Sequence, residues 1–377
     1  MENNVLFPGS TIGIIGDSPS GVMLAQAAQH LGFKVVSYSR HESSPVLAHA
    51  DVALVGRLND KEKLADFAQR CDLVTYESDE IDVQVIRYLS HFTRVPQNTE
   101  LLELTQDRLL ERAFFEQMNV NIAPYATIIN LDDIYQAMPS IGYPCVLKPI
   151  QKDFNPKRIR VIRKQTDIAD CAELVEKGTY ILESHVDFER EVSLIMTKTQ
   201  DQKVTSFPLV ECRVKEDQTL ALASMPAQLD TDTVQEIERL AQEIAQKISY
   251  VGCFELSFYL TKNGTLYFNR LTPALSNAGY IFNKTVNVTM FEQHLRALAQ
   301  IPLVQPEIVH PGVLFFITKE MENALRTQWV LKDNWFYDMY RIPEVMQHKT
   351  SNIGHVLVLA ENVQIAQQQI ENTGILK

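Results

Sequence analysis

The sequence predicts an α/β protein whose amino-terminal region is Rossmann-like and whose remainder is rich in strands. Three observations carry that expectation. The first hundred residues alternate short apolar runs with amphipathic stretches, the middle of the chain strings strands on short polar connections, and Asn263-Gly264 separates two strand-like runs as a hairpin turn.

Taken in order, TIGIIG reads as a strand, VMLAQAAQHLGF as an amphipathic helix, KVVSYS and ADVALVG as strands, KEKLADFAQRC as a helix and DLVTYES as a strand. This β-α-β-β-α-β order predicts a doubly wound parallel sheet. Between the first strand and helix lies GDSPSG, where Ser18 fits an N-cap and Pro19 the first helical residue. Such a turn delivers a strand into a helix N-terminus, which attracts anions. A dinucleotide fingerprint would need a glycine at Ser18, so the sequence itself reads here as a structural turn.

Pro96 and QNTE open a second region. TQDRLLERAFFEQM predicts one helix with apolar positions Leu109, Leu110, Phe114 and Met118. CVLKPI, RIRVIRK, TYILESHV and EREVSLIMTK follow as strands, and Thr233 with Glu236 predicts a capping box opening a helix. The hairpin VGCFELSFYL and TLYFNRL comes next, and after Pro302 come the strands VLFFIT and HVLVLA and a short final helix.

Composition narrows the function. Hydrophobic residues make up 45% of the 377 and charged residues 22%, and no apolar run approaches the roughly 20 residues of a membrane helix. The opening MENNVLFPGS lacks a basic start followed by an apolar stretch, so a cytoplasmic protein is expected. Five scattered cysteines form no CxxC pair and predict reduced, buried thiols. A net charge of −12 argues against nucleic acid as a partner and leaves small anions bound locally.

Five motifs then fall in sequence: QDRLLE at 106–111, VLKP at 146–149, ILESHVDFEREVS at 181–193, PLVE at 208–211 and YFNRLTPALSNAG at 267–279. In this order, and over nearly the whole chain, they resemble the ATP-grasp ligases, specifically the 5-(carboxyamino)imidazole ribonucleotide synthases. The resemblance implies a Rossmann-like pre-ATP-grasp domain over 1–97, an ATP-grasp domain over 98–301 and a small β-rich domain over 302–377. It further implies a homodimer that uses ATP, with Mg²⁺ bridging the phosphates, to phosphorylate bicarbonate and carboxylate aminoimidazole ribonucleotide. Phosphoryl transfer spreads negative charge over the moving group, so cations must surround it.

Residue by residue, the resemblance places Arg108 and Lys148 against ATP phosphates, Glu183 and Val186 at the hinge that reads adenine, Glu191 on the ribose hydroxyls and Asn269 at the phosphate end. It places Tyr76, Glu77 and Asn277 at the acceptor substrate. Read without it, a lysine closing a strand is commonly solvated and an acid flanking a strand commonly lies at the surface.

The chain departs from the family pattern at the phosphate end. The glycine-rich loop is replaced by KDFNPKRI, with Pro156 removing one N–H donor and Lys157 alone matching. The two metal-binding glutamates are replaced by Ser257 and Arg270, so no metal ligand is assigned and magnesium is in doubt; a guanidinium cannot ligate a cation. Glu255, two residues from Ser257, is too far along the strand to take over the same coordination position. Val214, Gln228, Ser276 and Tyr280 stand at further substrate-site positions, and the family's RKMGH reads Ser351 to His355. Three readings follow: an active synthase, a nucleotide-binding pseudoenzyme, or an ATP-grasp ligase with a changed acceptor, with the basic run Lys157 to Lys164 as an anion holder or a solvated strand face.

Overall fold

Strands Thr11–Ile15, Lys34–Ser39, Val52–Val55 and Leu73–Tyr76 pair in parallel, with the first at the centre between the second and the fourth. The two expected helices fall at Pro19–His30 and Lys61–Gln69. Ser18 caps the first, its Oγ accepting from the Ser20 N–H at 3.2 Å, and Pro19 opens it, as the sequence predicts. The computed structural model describes residues 5–152, 158–215, 219–340 and 352–376; Pro156, Lys157 and Ser351 lie outside the described residues.

Chain contacts divide the protein into two compact units. Unit 1 comprises residues 1–99, 192–255 and 272–377, and unit 2 comprises 100–191 and 256–271. In unit 1 the parallel sheet and the strands that follow share one core, in which Ile12, Ile14 and Leu24 are buried with Phe207, Phe282 and Leu314. Strands Val210–Val214, Leu220–Met225, Gly312–Thr318, Asn352–Leu359 and Trp335–Met339 pair antiparallel in that order, so the late strands VLFFIT and HVLVLA join one sheet with strands a hundred residues upstream. Among the described residues no helix is long and apolar enough to cross a membrane.

The start of strand Gly252–Thr261 is set by a close approach. Gly252 has φ +121°, and a Cβ there would stand 2.7 Å from the buried imidazole of His294. Gly252→Ala therefore combines left-handed backbone strain with overpacking and is expected to cost about 2–4 kcal/mol in a urea unfolding curve.

Unit 2 is built on an antiparallel sheet of four strands in the order Tyr125–Ile128, Tyr180–Ser184, Cys145–Pro149 and Arg160–Ile162, closed by helix Leu131–Ile141 over Ile128, Leu147, Leu182 and their neighbours. The Asn263-Gly264 turn forms as expected between strands Gly252–Thr261 and Leu266–Thr272, with Gly264 at φ +81°.

Two expectations about helices are corrected. The single helix across 105–118 breaks into Glu100–Gln106 and Arg108–Gln117, because Gln106 to Arg108 pair with the chain after Pro149: Lys152 N–H donates to Gln106 and Arg108 N–H to Ile150, each at 2.9 Å. Asp107 then caps the second helix, accepting from the N–H groups of Leu109 and Leu110. Its buried face is Glu111, Arg112 and Phe115, while Leu110 is exposed, since this helix packs against charged partners. The later helix begins at Thr231, capped by Asp230 through the Thr233 N–H, two residues before the expected capping box.

Candidate functional site

In unit 2, three strands and one helix bring charged side chains together out of water. Lys148 on strand Cys145–Pro149 reaches Glu183 on the neighbouring strand Tyr180–Ser184, its Nζ donating to Oε2 at 2.6 Å. Arg112, from helix Arg108–Gln117, donates from Nε to the other oxygen, Oε1, at 2.7 Å and from Nη1 to the main-chain oxygen of Asn269 at 2.9 Å. Glu183 and Arg112 are 4% and 7% exposed. Burial alone would raise the Glu183 carboxyl, but the Lys148 ammonium and the Arg112 guanidinium outweigh it and hold the group well below the usual carboxylate range. One acid between two bases leaves the cluster with an excess positive charge, which suits a phosphate-bearing ligand.

A second cluster sits where strands Phe188–Lys198, Gly252–Thr261 and Leu266–Thr272 present their side chains. Ser257 Oγ donates to Glu191 Oε1 at 2.8 Å, and Asn269 Nδ2 donates to the same oxygen at 3.3 Å and to Ser257 Oγ at 3.2 Å. Tyr259 stacks on Phe188, ring centroids 4.1 Å apart. Burial raises the Tyr259 phenol first, Glu191 adds to that, and the positive charge of Arg270 opposes it, which sets Arg270 within electrostatic reach of this ring.

The position of Arg270 could not be read from strand alternation, because the alternation slips. Phe268 and Leu271 both donate their N–H groups away from the hairpin, to Asn121 O at 2.8 Å and to Glu111 Oε1 at 3.1 Å, and they are an odd number of residues apart. Glu111 and Arg112, consecutive on one helix, thus hold the backbone on both sides of Arg270.

The structure therefore gathers Lys148 with Glu183, and Glu191 with Asn269 and Ser257, and joins the two groups through Arg112. Arg108 is half-buried and donates from Nη1 to the Pro149 carbonyl at 2.7 Å, beside the end of the lysine strand. Val186 lies in the connection between strands Tyr180–Ser184 and Phe188–Lys198, its carbonyl accepting from Phe188 N–H at 3.1 Å. Sequence reasoning missed Glu111, Arg112 and Tyr259. Arg112 follows Arg108 by four residues and so shares its helix face, which is the signal that would have found it.

Tyr76, Glu77 and Asn277 belong to unit 1. Glu77 is buried and held by the GDSPSG turn: Oε1 accepts from the N–H groups of Asp17 and Ser18 at 3.1 and 3.0 Å, and Oε2 accepts from the Ser18 hydroxyl. Burial raises its carboxyl, opposed by those donors. The helix N-terminus expected to attract an anion thus receives one from its own chain. Gly16, at φ +155°, leaves the space that this carboxylate fills. Asn277 is exposed at the head of the turn Asn277–Ile281, while Tyr280 in that turn is buried, its hydroxyl 2.7 Å from Ser20 Oγ and its ring against His355. His355 Nε2 lies 3.2 Å from Asp338, and its Nδ1 lies 2.8 Å from the Tyr340 hydroxyl.

The ATP-grasp domain model matches residues 113–291, and that of the ribonucleotide synthetase preATP-grasp domain matches residues 10–106. N5-carboxyaminoimidazole ribonucleotide synthase of Bacillus subtilis is 29% identical over 373 residues, covering 99% of this chain and 97% of that protein. The chain is an ATP-grasp protein with a ribonucleotide synthetase preATP-grasp domain ahead of its ATP-grasp domain. The Staphylococcus aureus (strain COL) synthase is 28% identical, with 98% of each chain covered. Among solved structures, the ADP complex of purK, N5-carboxyaminoimidazole ribonucleotide synthetase, superposes with a TM-score of 0.93 at 28% identity over 99% of this chain and 98% of that one. The ADP-bound S. aureus enzyme superposes at 0.91 with 27% identity and 98% of each chain covered.

The pairing of Lys148 with Glu183 and the buried Glu191 provide a cation and a hydroxyl acceptor suited to a nucleotide. At Ser257 and Arg270, where the sequence resemblance implies metal-binding glutamates, the chain offers a hydroxyl already donating to Glu191 and a guanidinium, neither of which supplies the anionic oxygen that magnesium prefers.

Proposed function

We propose that this ATP-grasp protein binds an adenine nucleotide in unit 2 and has lost, or retains only at a low level, the ATP-dependent carboxylation of aminoimidazole ribonucleotide that names its relatives. The observation that carries the reading is the buried cluster of Arg112, Glu183 and Lys148, tied to the main chain of Asn269. It keeps a cationic pocket assembled around Lys148, while Ser257 and Arg270 stand where carboxylates would be needed for chemistry. In this reading Arg108 and Lys148 face the phosphates, the backbone at Glu183 and Val186 reads the base, and Glu191 takes the ribose. The protein acts in the cytoplasm as a homodimer.

Removing a single oriented charge-stabilising group commonly costs a hundredfold or more in turnover, so two altered positions predict a larger deficit. The test is phosphate release from ATP with aminoimidazole ribonucleotide, bicarbonate and magnesium, run beside calorimetric titration of ATP. Binding with turnover at least about 10⁴-fold below the B. subtilis enzyme is expected. Turnover within tenfold of that enzyme would sink the proposal.

A second reading, a ligase with a changed acceptor, is favoured by one observation in unit 1. Around Tyr280 the side chains are Ser20, Tyr340, His355 and Asp338, two hydroxyls with an imidazole paired to a carboxylate, and this array contains no guanidinium fork suited to a phosphate ester. Under it, phosphate release stays silent with aminoimidazole ribonucleotide and rises with an unphosphorylated amine or acid.

A further inference from the structure

The disagreement between the unit 2 site and a magnesium-dependent chemistry has a consequence for what the site holds. Magnesium takes near-octahedral oxygen ligands at about 2.0–2.1 Å, usually including one or two carboxylates. Both oxygens of Glu183 accept short charge-assisted bonds, from Arg112 and Lys148. Glu191 Oε1 accepts from Ser257 and Asn269, and Asn269 turns its amide nitrogen, a donor, toward this cluster. Among the described residues no three His, Cys, Asp or Glu side chains are grouped so as to hold a metal ion. Arg270 adds a permanent positive charge next to Asn269, on a backbone fixed from both sides by Glu111 and Arg112.

Resting on the nucleotide-binding reading above, we infer that the site takes its nucleotide as the metal-free polyphosphate anion, with the Arg270 guanidinium supplying the countercharge at the phosphates. The chemistry is that of a forked donor on phosphate oxygens, which needs no divalent ion as intermediary. A dication brought in with the nucleotide would meet Arg270 as a like charge, so magnesium competes with this mode by sequestering the free anion.

The test is calorimetric titration of the full chain with ADP and with ATP, in excess EDTA and again in saturating magnesium chloride, for the wild type, Arg270→Lys and Arg270→Ala. The expected result is an affinity in EDTA equal to or tighter than that in magnesium, lowered about tenfold or more in Arg270→Ala and only partly recovered in Arg270→Lys, which keeps the charge and loses the fork. A magnesium-induced gain of tenfold or more overturns the inference and leaves nucleotide binding standing. So does an Arg270→Ala protein with unchanged melting temperature and unchanged affinity in EDTA. Absence of binding in both buffers overturns the nucleotide-binding reading itself, and the inference with it.

Discussion

Arg112→Met is expected to destabilise the protein by about 3–5 kcal/mol, the cost of taking from a buried carboxylate the more deeply buried of its two cationic partners. The geometry explains why the loss is large. Glu183 is 4% exposed, and each of its oxygens is matched to one cation. Lys148 has 30% of its side chain exposed, so solvent screens its share, whereas the Arg112 side chain is 8% exposed and bonds the carboxylate out of water. Methionine keeps much of the volume and none of the charge. The control is the double variant Arg112→Met with Glu183→Leu, which removes acid and base together and is expected to recover most of the stability, because a buried ion pair nearly balances its own desolvation. Urea unfolding of the two single variants and the double variant measures the coupling; a single-variant cost below about 1 kcal/mol would contradict the role assigned to Arg112. An acid limb accompanies it. The Glu183 carboxyl is held low in the folded state, so its contribution is present above the ordinary glutamate pKa and is lost as the pH falls below it. That limb flattens in Arg112→Met.

The same residues show what the sequence could and could not disclose. The parallel strands of unit 1 and the Asn263-Gly264 hairpin were legible because apolar periodicity and turn chemistry act locally, within a few residues. The break at Asp107 was not, since helix-forming residues stand on both sides of it. It follows from hydrogen bonds to Ile150 and Lys152, more than forty residues away, which no local pattern encodes. The buried face of helix Arg108–Gln117 departs from the apolar positions Leu109, Leu110, Phe114 and Met118 for a related reason: Glu111 and Arg112 are buried because their partners are polar. At the site, motif resemblance supplied Lys148, Glu183, Glu191 and Asn269. It gave no account of the Ser257 hydroxyl donating to Glu191, because that bond exists only once two strands lie side by side. Likewise GDSPSG advertised an anion site, and the anion proved to be Glu77, a residue of the same unit about sixty positions along.

Stability is also expected to fall as the pH drops from 7 to 5, through His294. Its imidazole is fully buried in unit 1, with Nδ1 accepting from Cys253 N–H at 2.9 Å. That bond fixes the proton on Nε2, which donates to Thr75 Oγ1 at 3.0 Å; Thr75 donates in turn to Gln97 Oε1 at 2.6 Å, and Gln97 Nε2 to the Tyr250 hydroxyl at 3.0 Å. A second proton would have to sit on Nδ1, facing an N–H group. Burial accordingly pushes the imidazole pKa down to about 3, from 6.5. Below 6.5 the unfolded chain takes up a proton that the folded protein refuses, so stability declines with falling pH at up to about 1.4 kcal/mol per unit, or about 2 kcal/mol by pH 5. At pH 5 the unfolded glutamates are still largely ionised, so this window is distinct from the Glu183 limb. Urea midpoints at pH 7 and pH 5 for the wild type and His294→Gln separate the contribution: the variant loses overall stability and, with it, the difference between the two pH values. A wild-type midpoint that stays constant across this interval would mean that the ring accepts a second proton in the folded state, which requires the Cys253 N–H to turn away and the chain of donors from Thr75 to Tyr250 to rearrange.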